Sequence, residues 1–586
     1  MIKCCPYCGK NYLGGNFCAF CAEDLRPFLN GDESNADQRE VSFDELARIA
    51  EQQAGRLHEE EERLSHYHIK DGVLTKYDGD EEDVVIPAGV KIIGENAFSG
   101  GAKILGIRIP DGVTEIQRQA FYGCARLEAI NIPPSVTTIG EGAFLCCGCN
   151  GGIKEIAIPD SVTIIKEYTF SDANIKKIII GNGVGTIERY AFLGCSAEIV
   201  WGNHTQIREL TPWAFNSYKG VSLKLPDSIV SIGEDAFSSC VNLTHIILPS
   251  RLQCIGNGAF TKCSSLREIY LPEGLQEMGA WIFQDCISLQ EVKMPNTLRN
   301  IGLGMFYRCT ALKKVTFSKC LNSINLCQFQ GCDSLEELII PEGVRELVGY
   351  IEDCKSLTSL TIPDSVTKIG RHEEDWGKLK HMGILYKCSG LKELTIGSGI
   401  KRLEVLSRDR SFQDYPNLQK VVIRNGVKEL GDNIFQGCDK LDTVYFSNNL
   451  EKIGKHAFAG CDSLREIKLP NTLKIIDESA FNSCKNLISI SVPNNVYEIG
   501  AYSFAWCYSL RDINLGRSLT KIGTCAFYEC KDLTKIFIPD GVREVGRGIF
   551  DSCVSLETIS VGREEIYYCL YGPYHNRYNI MKVVLR

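Results

Sequence analysis

Four cysteines near the start of the chain have the spacing of a metal site. Cys5 and Cys8 form one C-x2-C pair, and Cys18 and Cys21 form a second pair after a gap of nine residues. Two such pairs can direct four thiolates at one tetrahedral Zn²⁺ ion, and the gap is long enough for one hairpin. The spacing therefore predicts a small ribbon over residues 1–25 whose zinc ion is structural.

This segment resembles the short zinc-ribbon modules found at the front of bacterial proteins. Gly9 follows the first pair as in those modules, whereas Ala22 stands where glycine is common after the second pair. A ribbon can also bind nucleic acid, but the basic residues around it are few and scattered (Lys3, Lys10 and Arg26). We therefore expect the ribbon to be a tether or a second protein contact, with nucleic-acid binding as a disfavoured alternative.

Most of the other cysteines belong to a repeated unit. From Phe98 to Phe550 a large apolar residue recurs in twenty units, mostly 23 residues apart, and the unit reads approximately I-P-x-x-V-x-x-I-G-x-x-A-F-x-x-C-x-x-L-x-x-I-x. Sixteen units have Cys three residues after this position. A thiol behaves as a small core hydrophobe, and four interruptions break the column. We expect buried free thiols, rather than a disulfide ladder or a row of metal ligands.

The remaining positions of the unit predict short parallel strands joined by corners. The L-x-x-I-x-I segment alternates and is rich in branched residues, which is typical of a strand with one buried face. Thirteen of the nineteen prolines follow this strand directly, where proline ends a hydrogen-bonded ladder. The glycine after the second isoleucine indicates either a backbone conformation closed to other residues or a close approach between coils.

The unit closely resembles that of the BspA-type leucine-rich repeat family over roughly residues 84–562, and its period lies in the leucine-rich range. The resemblance implies a right-handed curved solenoid that acts by binding other molecules, and many members are bacterial or protist surface proteins. We expect a leucine-rich repeat solenoid of about 20 units over residues 88–562. Its parallel β-sheet is expected on the concave face, with short strands and turns on the convex face.

The segments outside the repeats are expected to connect to the solenoid or to cap its ends. Residues 26–67 read as a polar linker with an amphipathic helix that a capping box at Ser42 opens. Residues 68–87 read as a hairpin that shields the first repeat, and the tyrosine-rich residues 563–586 as a C-terminal cap. A solenoid needs such caps because its end coils would otherwise expose their core.

Two sets of residues are candidates for partner contact. Strand side chains alternate, so the residue between the two isoleucines points outward, and at six units it is larger and more apolar than a solvated sheet needs. Ordinary β-propensity explains these six residues equally well. Two lengthened units insert loops, which often carry specificity, although a neutral insertion is the alternative. The outward candidates are Ile247, Tyr270, Ile339, Val422, Tyr445 and Phe537, and the loop candidates are Arg371, His372, Trp376 and Lys380.

Composition and the remaining motifs argue against several classes of function. Apolar residues make up 44% and the net charge is −9 without a basic block, which disfavours duplex nucleic acid and anionic membranes as partners. Neither a signal peptide nor a membrane span is indicated. Nine histidines form no catalytic grouping. Cys147 is the ordinary repeat cysteine, and Cys146 and Cys149 flank a three-residue, glycine-rich insertion that reads as a loop rather than a soft-metal site.

The sequence predicts a non-catalytic cytoplasmic scaffold that binds a macromolecular partner, a protein, on its solenoid face. No small-molecule substrate is expected. An exported cell-surface adhesin of the BspA type and nucleic-acid binding through the ribbon are the alternatives. Extracellular location with oxidised cysteines would favour the first, and strongly salt-dependent affinity that needs the ribbon would favour the second.

Overall fold

Each repeat forms one coil of a parallel β-solenoid of about 20 turns. The computed structural model describes residues 2–4, 11–13, 43–370, 385–403, 415–563, 566 and 582–585. A coil has a long strand, a short strand and a run of turns, which give the solenoid a long-strand face, a short-strand face and a turn face. The predicted parallel repeat architecture is confirmed.

The long strands come from the L-x-x-I-x-I segments and pair in parallel with the strand one repeat away. The largest hydrogen-bonded group has eight strands, and Glu268, Glu291, Lys314 and Glu337 share one register position in it. The central residue of each strand is mostly buried and its flanking residues face outward, because strand side chains alternate. The long strands are Asp83–Val85, Gly106–Arg108, Ala129–Ile130, Ile156–Ala157, Lys177–Ile180, Glu198–Trp201, Ser222–Lys224, His245–Ile247, Glu268–Tyr270, Glu291–Lys293, Lys314–Thr316, Glu337–Ile339, Ser359–Ile362, Glu393–Ile396, Lys420–Ile423, Thr443–Tyr445, Glu466–Lys468, Ser489–Ser491, Asp512–Asn514, Lys535–Ile538, Thr558–Val561 and Lys582–Leu585.

The short strands come from the second isoleucine of the unit, and they also pair in parallel. They are Val73–Tyr77, Ile92–Ile93, Glu115–Ile116, Thr138–Ile139, Ile164–Ile165, Thr186–Ile187, Glu209–Leu210, Ser231–Ile232, Cys254–Ile255, Glu277–Met278, Asn300–Ile301, Ser323–Asn325, Glu346–Val348, Lys368–Gly370, Arg402–Leu403, Glu429–Leu430, Lys452–Ile453, Ile475–Ile476, Glu498–Ile499, Lys521–Ile522 and Glu544–Val545.

The glycine that follows the short strand lies where two coils approach too closely for a side chain. Gly302 and Gly523 do not have positive φ. A Cβ atom at Gly302 would overlap the carbonyl carbon of Gly279 and the amide nitrogen of Ala280 in the preceding coil. Of the two explanations that the sequence left open, close approach between coils is therefore right at these positions, and a left-handed conformation is wrong.

The turn face holds the left-handed residues instead. In most described repeats the residue two before the repeat phenylalanine and the residue two after it both have positive φ, as in Asn96 (58°) and Gly100 (72°) around Phe98. Backbone hydrogen bonds link this face to the next coil, for example from Phe98 N to Ala120 O at 2.8 Å. The turns thus form a third ladder, which satisfies backbone groups that would otherwise be buried without partners.

The core contains two stacks of aromatic rings. From Phe98 to Phe329 each ring lies within 4.6–5.9 Å of the next, centroid to centroid, and a second stack runs from Phe435 to Phe550. Between the two stacks, aliphatic Ile351 and Leu385 take the ring position in two repeats, and both lie in two-residue strands, Ile351–Glu352 and Leu385–Tyr386. The next repeat position, Phe412, lies outside the described residues. A 3-10 helix, Leu326–Phe329, precedes this change.

Other elements lie at the ends of the solenoid. Helix α1 spans Phe43–Ser65 and leads into a hairpin of Tyr67–Lys70 with Val73–Tyr77. Tyr77 packs on Phe98 with 5.3 Å between ring centroids, so the hairpin covers the first core ring. The first long strand begins at Asp83, inside the segment that the sequence assigned to the hairpin. At the other end Lys582–Leu585 adds one more parallel strand.

Candidate interaction surfaces

The six outward candidates lie on the long-strand face as the alternation predicts. Tyr270 is 77% exposed, and four of the others are also exposed. Val422 differs because it is half-buried. Val422 and Tyr445 are register partners on adjacent strands, and Ile247 and Tyr270 lie one repeat apart. The face therefore carries two apolar pairs, and the remaining exposed candidates, Ile339 and Phe537, stand apart from them.

Charged residues of both signs surround the first pair. The Tyr270 hydroxyl donates to Glu268 Oε2 at 3.1 Å, and this hydrogen bond raises the pKa of Tyr270. Glu268 and Glu291 are register partners, while Lys293 stands beside Tyr270 on the neighbouring strand. A surface of mixed sign with an exposed ring suits a protein partner better than a polyanion.

The column thiols have a role that the sequence did not reveal. Fourteen of the sixteen donate to the carbonyl oxygen at the phenylalanine position of the preceding coil, at 2.8–3.8 Å. That carbonyl also accepts a hydrogen bond from the backbone amide three residues later in its own coil, as Phe121 O does from Cys124 N. Each thiol thus packs in the core and makes a weak hydrogen bond between coils. The donors are Cys124, Cys147, Cys240, Cys263, Cys286, Cys309, Cys332, Cys354, Cys388, Cys461, Cys484, Cys507, Cys530 and Cys553.

Burial also makes these thiols poor nucleophiles. It raises the pKa of Cys195 and of Cys507 to about 12, so both stay protonated at neutral pH. No cysteine of the described ranges from Cys124 to Cys553 forms a disulfide bond. Within those ranges no group of three or more His, Cys, Asp or Glu residues is arranged to hold a metal ion. The expectation of buried free thiols is confirmed.

A row of aromatic side chains on the turn face was missed by the sequence reasoning. Tyr168 and Tyr190 stack at 5.3 Å between ring centroids, Tyr190 and Trp213 stack at 5.9 Å, and the Arg189 guanidinium lies 4.8 Å from the Trp213 ring centroid. All three residues are half-buried and have positive φ. A positive φ costs conformational energy for bulky residues. Their spacing of 22 or 23 residues, two positions before the repeat phenylalanine, was the available signal.

Several candidates lie outside the described residues. They are the ribbon cysteines Cys5, Cys8, Cys18 and Cys21 and the loop residues Arg371, His372, Trp376 and Lys380. The strands Ile2–Cys4 and Asn11–Leu13 are described, and they pair antiparallel. Among the described residues, no helix is both long and apolar enough to cross a membrane.

The geometry defines the class of protein as a parallel repeat solenoid, an architecture that offers extended surfaces for binding. The family profile described as BspA type Leucine rich repeat region matches six stretches, residues 76–199, 197–309, 254–373, 381–488, 407–530 and 474–583. The chain belongs to the BspA-type leucine-rich repeat family. No curated protein matches it.

Solved structures with a similar fold come from several bacteria. A leucine-rich repeat protein from Bacteroides ovatus is 20% identical, with 89% of this chain and 97% of that chain covered and a TM-score of 0.33. A leucine rich cell surface protein from Faecalibacterium prausnitzii is 23% identical, with 53% and 83% covered and a TM-score of 0.28. The pneumococcal vaccine antigen PcpA is 17% identical, with 74% and 89% covered and a TM-score of 0.24.

Proposed function

We propose that this protein is a non-catalytic recognition scaffold that binds a protein partner on its long-strand face. The proposal rests on two exposed tyrosines, one from each apolar pair of the long-strand face. Tyr270 is 77% exposed and Tyr445 is 58% exposed. Tyrosine is enriched at the centres of protein interfaces, where a rigid ring buries area at a low entropy cost.

A pull-down from the native host tests this proposal. The double variant Tyr270→Asp with Tyr445→Asp should lose the partner that the unchanged chain retains, because each aspartate removes a ring and adds a charge to desolvate. Ser491→Asp is the matched control, since Ser491 is exposed at the same strand position. Equal partner recovery by the double variant and the control would rule out this binding face.

The loop residues Arg371, His372, Trp376 and Lys380 are proposed as further partner contacts. They belong to the longest insertion in the repeat array, and inserted loops of repeat proteins often add specificity to the binding face. Replacing Trp376 with Ala should weaken partner recovery in the same pull-down. Unchanged recovery would make the insertion neutral for this partner.

The four ribbon cysteines are proposed to bind a structural Zn²⁺ ion. In support, Cys4 and Asn11 are register partners of an antiparallel pair, so the first C-x2-C pair falls in the connection between two strands. Metal analysis of the purified full chain should find one zinc per chain, and Cys5→Ser with Cys8→Ser should abolish it. A zinc content that this double variant leaves unchanged would refute the site.

The location is proposed to be cytoplasmic, where free thiols persist. Fractionation of the native host tests this against the adhesin alternative, which predicts an extracellular protein with oxidised cysteines. The nucleic-acid alternative predicts an affinity that falls steeply with salt and disappears when residues 1–25 are deleted.

A further inference from the structure

Two accessible thiols lie next to each other in the insertion of the third repeat. Cys149 is exposed and Cys146 is half-buried, whereas Cys147 between them is a buried member of the thiol column. The Cys149 Sγ atom lies 3.2 Å from the carbonyl oxygen of Cys146 and 3.5 Å from that of Asp172. The side chain of Cys149 is therefore folded back onto the backbone of Cys146.

The backbone of this insertion is anchored. Cys146 and Gly148 have positive φ, at 57° and 67°. Gly148 N donates to Cys124 O at 3.0 Å, and Gly152 N donates to Gly148 O at 2.7 Å. Residues three apart in a tight turn have Cα atoms within about 7 Å, close to the 4.4–6.8 Å that a disulfide spans. The turn thus brings the Cα atoms of Cys146 and Cys149 near the upper end of the range that a disulfide spans, and the fold-back of Cys149 brings its Sγ atom to the backbone of Cys146.

The surroundings give the two thiols different roles. Burial, followed by the nearby Cys149 and Asp172, raises the pKa of Cys146, while Lys219 opposes this shift. Lys219 Nζ lies 3.5 Å from Asp172 Oδ1. Cys149 is the more exposed of the two thiols, so it meets a dissolved reagent first, and Cys146 is placed to act second.

We propose that Cys146 and Cys149 form a thiol–disulfide exchange site for a low-molecular-weight disulfide such as oxidised glutathione. The Cys149 thiolate attacks one sulfur of the reagent, a mixed disulfide forms, and the first thiolate leaves. Cys146 then loses its proton to solvent and attacks Cys149 Sγ, which expels the second thiolate. Two protein thiols are oxidised to one disulfide, and one reagent disulfide is reduced to two thiols.

The test uses the full chain in buffers of reduced and oxidised glutathione. After acid quenching and alkylation, mass spectrometry of the tryptic peptide of residues 127–154 should show the loss of two hydrogens. Cys320, an exposed thiol outside the loop, is the control and should carry only the glutathione adduct. A peptide that stays reduced, or that keeps the adduct as Cys320 does, overturns the proposal.

Variants identify which sulfurs are joined. Cys149→Ser should abolish the loss of two hydrogens, and Cys146→Ser should leave at least about tenfold more adduct on Cys149 than the unchanged chain. Cys147→Ala should keep the disulfide, and its thermal unfolding reports whether the coil remains folded. Continued loss of two hydrogens in Cys149→Ser would place the bond elsewhere and overturn the assignment.

Discussion

Replacing Gly302 with alanine tests how closely the coils approach. The new Cβ atom would overlap backbone atoms of Gly279 and Ala280, so the two coils must separate. Separation weakens the hydrogen bond from Gly302 N to Met278 O, now 3.0 Å, which costs about 1 kcal/mol. Overpacking costs about 1–3 kcal/mol more, so we expect about 3 kcal/mol of local destabilisation.

Hydrogen exchange measured peptide by peptide suits this test, because a repeat array does not unfold in a single two-state step. About 3 kcal/mol corresponds to roughly 100-fold faster exchange in the strands Glu277–Met278 and Asn300–Ile301. Gly185→Ala is the matched control. No atom lies within 4 Å of a Cβ there and φ is not positive, so it should stabilise by about 0.5 kcal/mol. Equal effects of the two substitutions would refute the close-approach argument.

Three further predictions concern the core, the thiols and the charged surface. Phe458→Ala removes a fully buried ring that stacks on both sides, and should cost about 3–5 kcal/mol, measured as faster exchange in the flanking coils. A water-soluble alkylating reagent at neutral pH should label exposed Cys320 in the native protein and spare Cys195 and Cys507, because burial raises their pKa to about 12; equal labelling would contradict their burial. A hydrogen bond from Lys474 lowers the pKa of Glu451 from 4.5, so the native state gains stability from the ionised carboxylate above that pH and loses it as pH falls through the lowered pKa. Glu451→Gln should therefore flatten the acid dependence of local exchange.

The repeat unit predicted much of the fold because each coil contacts mainly its neighbours. In such an array, a residue 23 positions away in sequence is a neighbour in space, so Phe98 and Phe121 stack as their spacing indicates. The alternation also placed Tyr270 on the outward side. Periodicity therefore carried information about tertiary contacts that an ordinary globular sequence does not contain.

Other features depended on the exact path of the backbone. Phe98 O accepts the Cys124 thiol because the two coils are offset by a particular amount, and no sequence pattern states that offset. Trp213 carries a positive φ that its residue type disfavours, so propensity would have predicted the opposite. The half-burial of Val422 depends likewise on its neighbours in the sheet.

The sequence by itself determined the repeated coil, the inward and outward columns and the cysteine pairs of the proposed zinc site, because all of these follow from residue type and spacing. Only the tertiary structure decided which outward side chains form hydrogen bonds with each other, as Tyr270 does with Glu268. It also decided which carbonyl oxygen accepts the hydrogen bond of each buried thiol. It also placed Cys149 Sγ against the backbone of Cys146. These contacts depend on distances of a few ångströms between coils, which the packing of the whole stack sets.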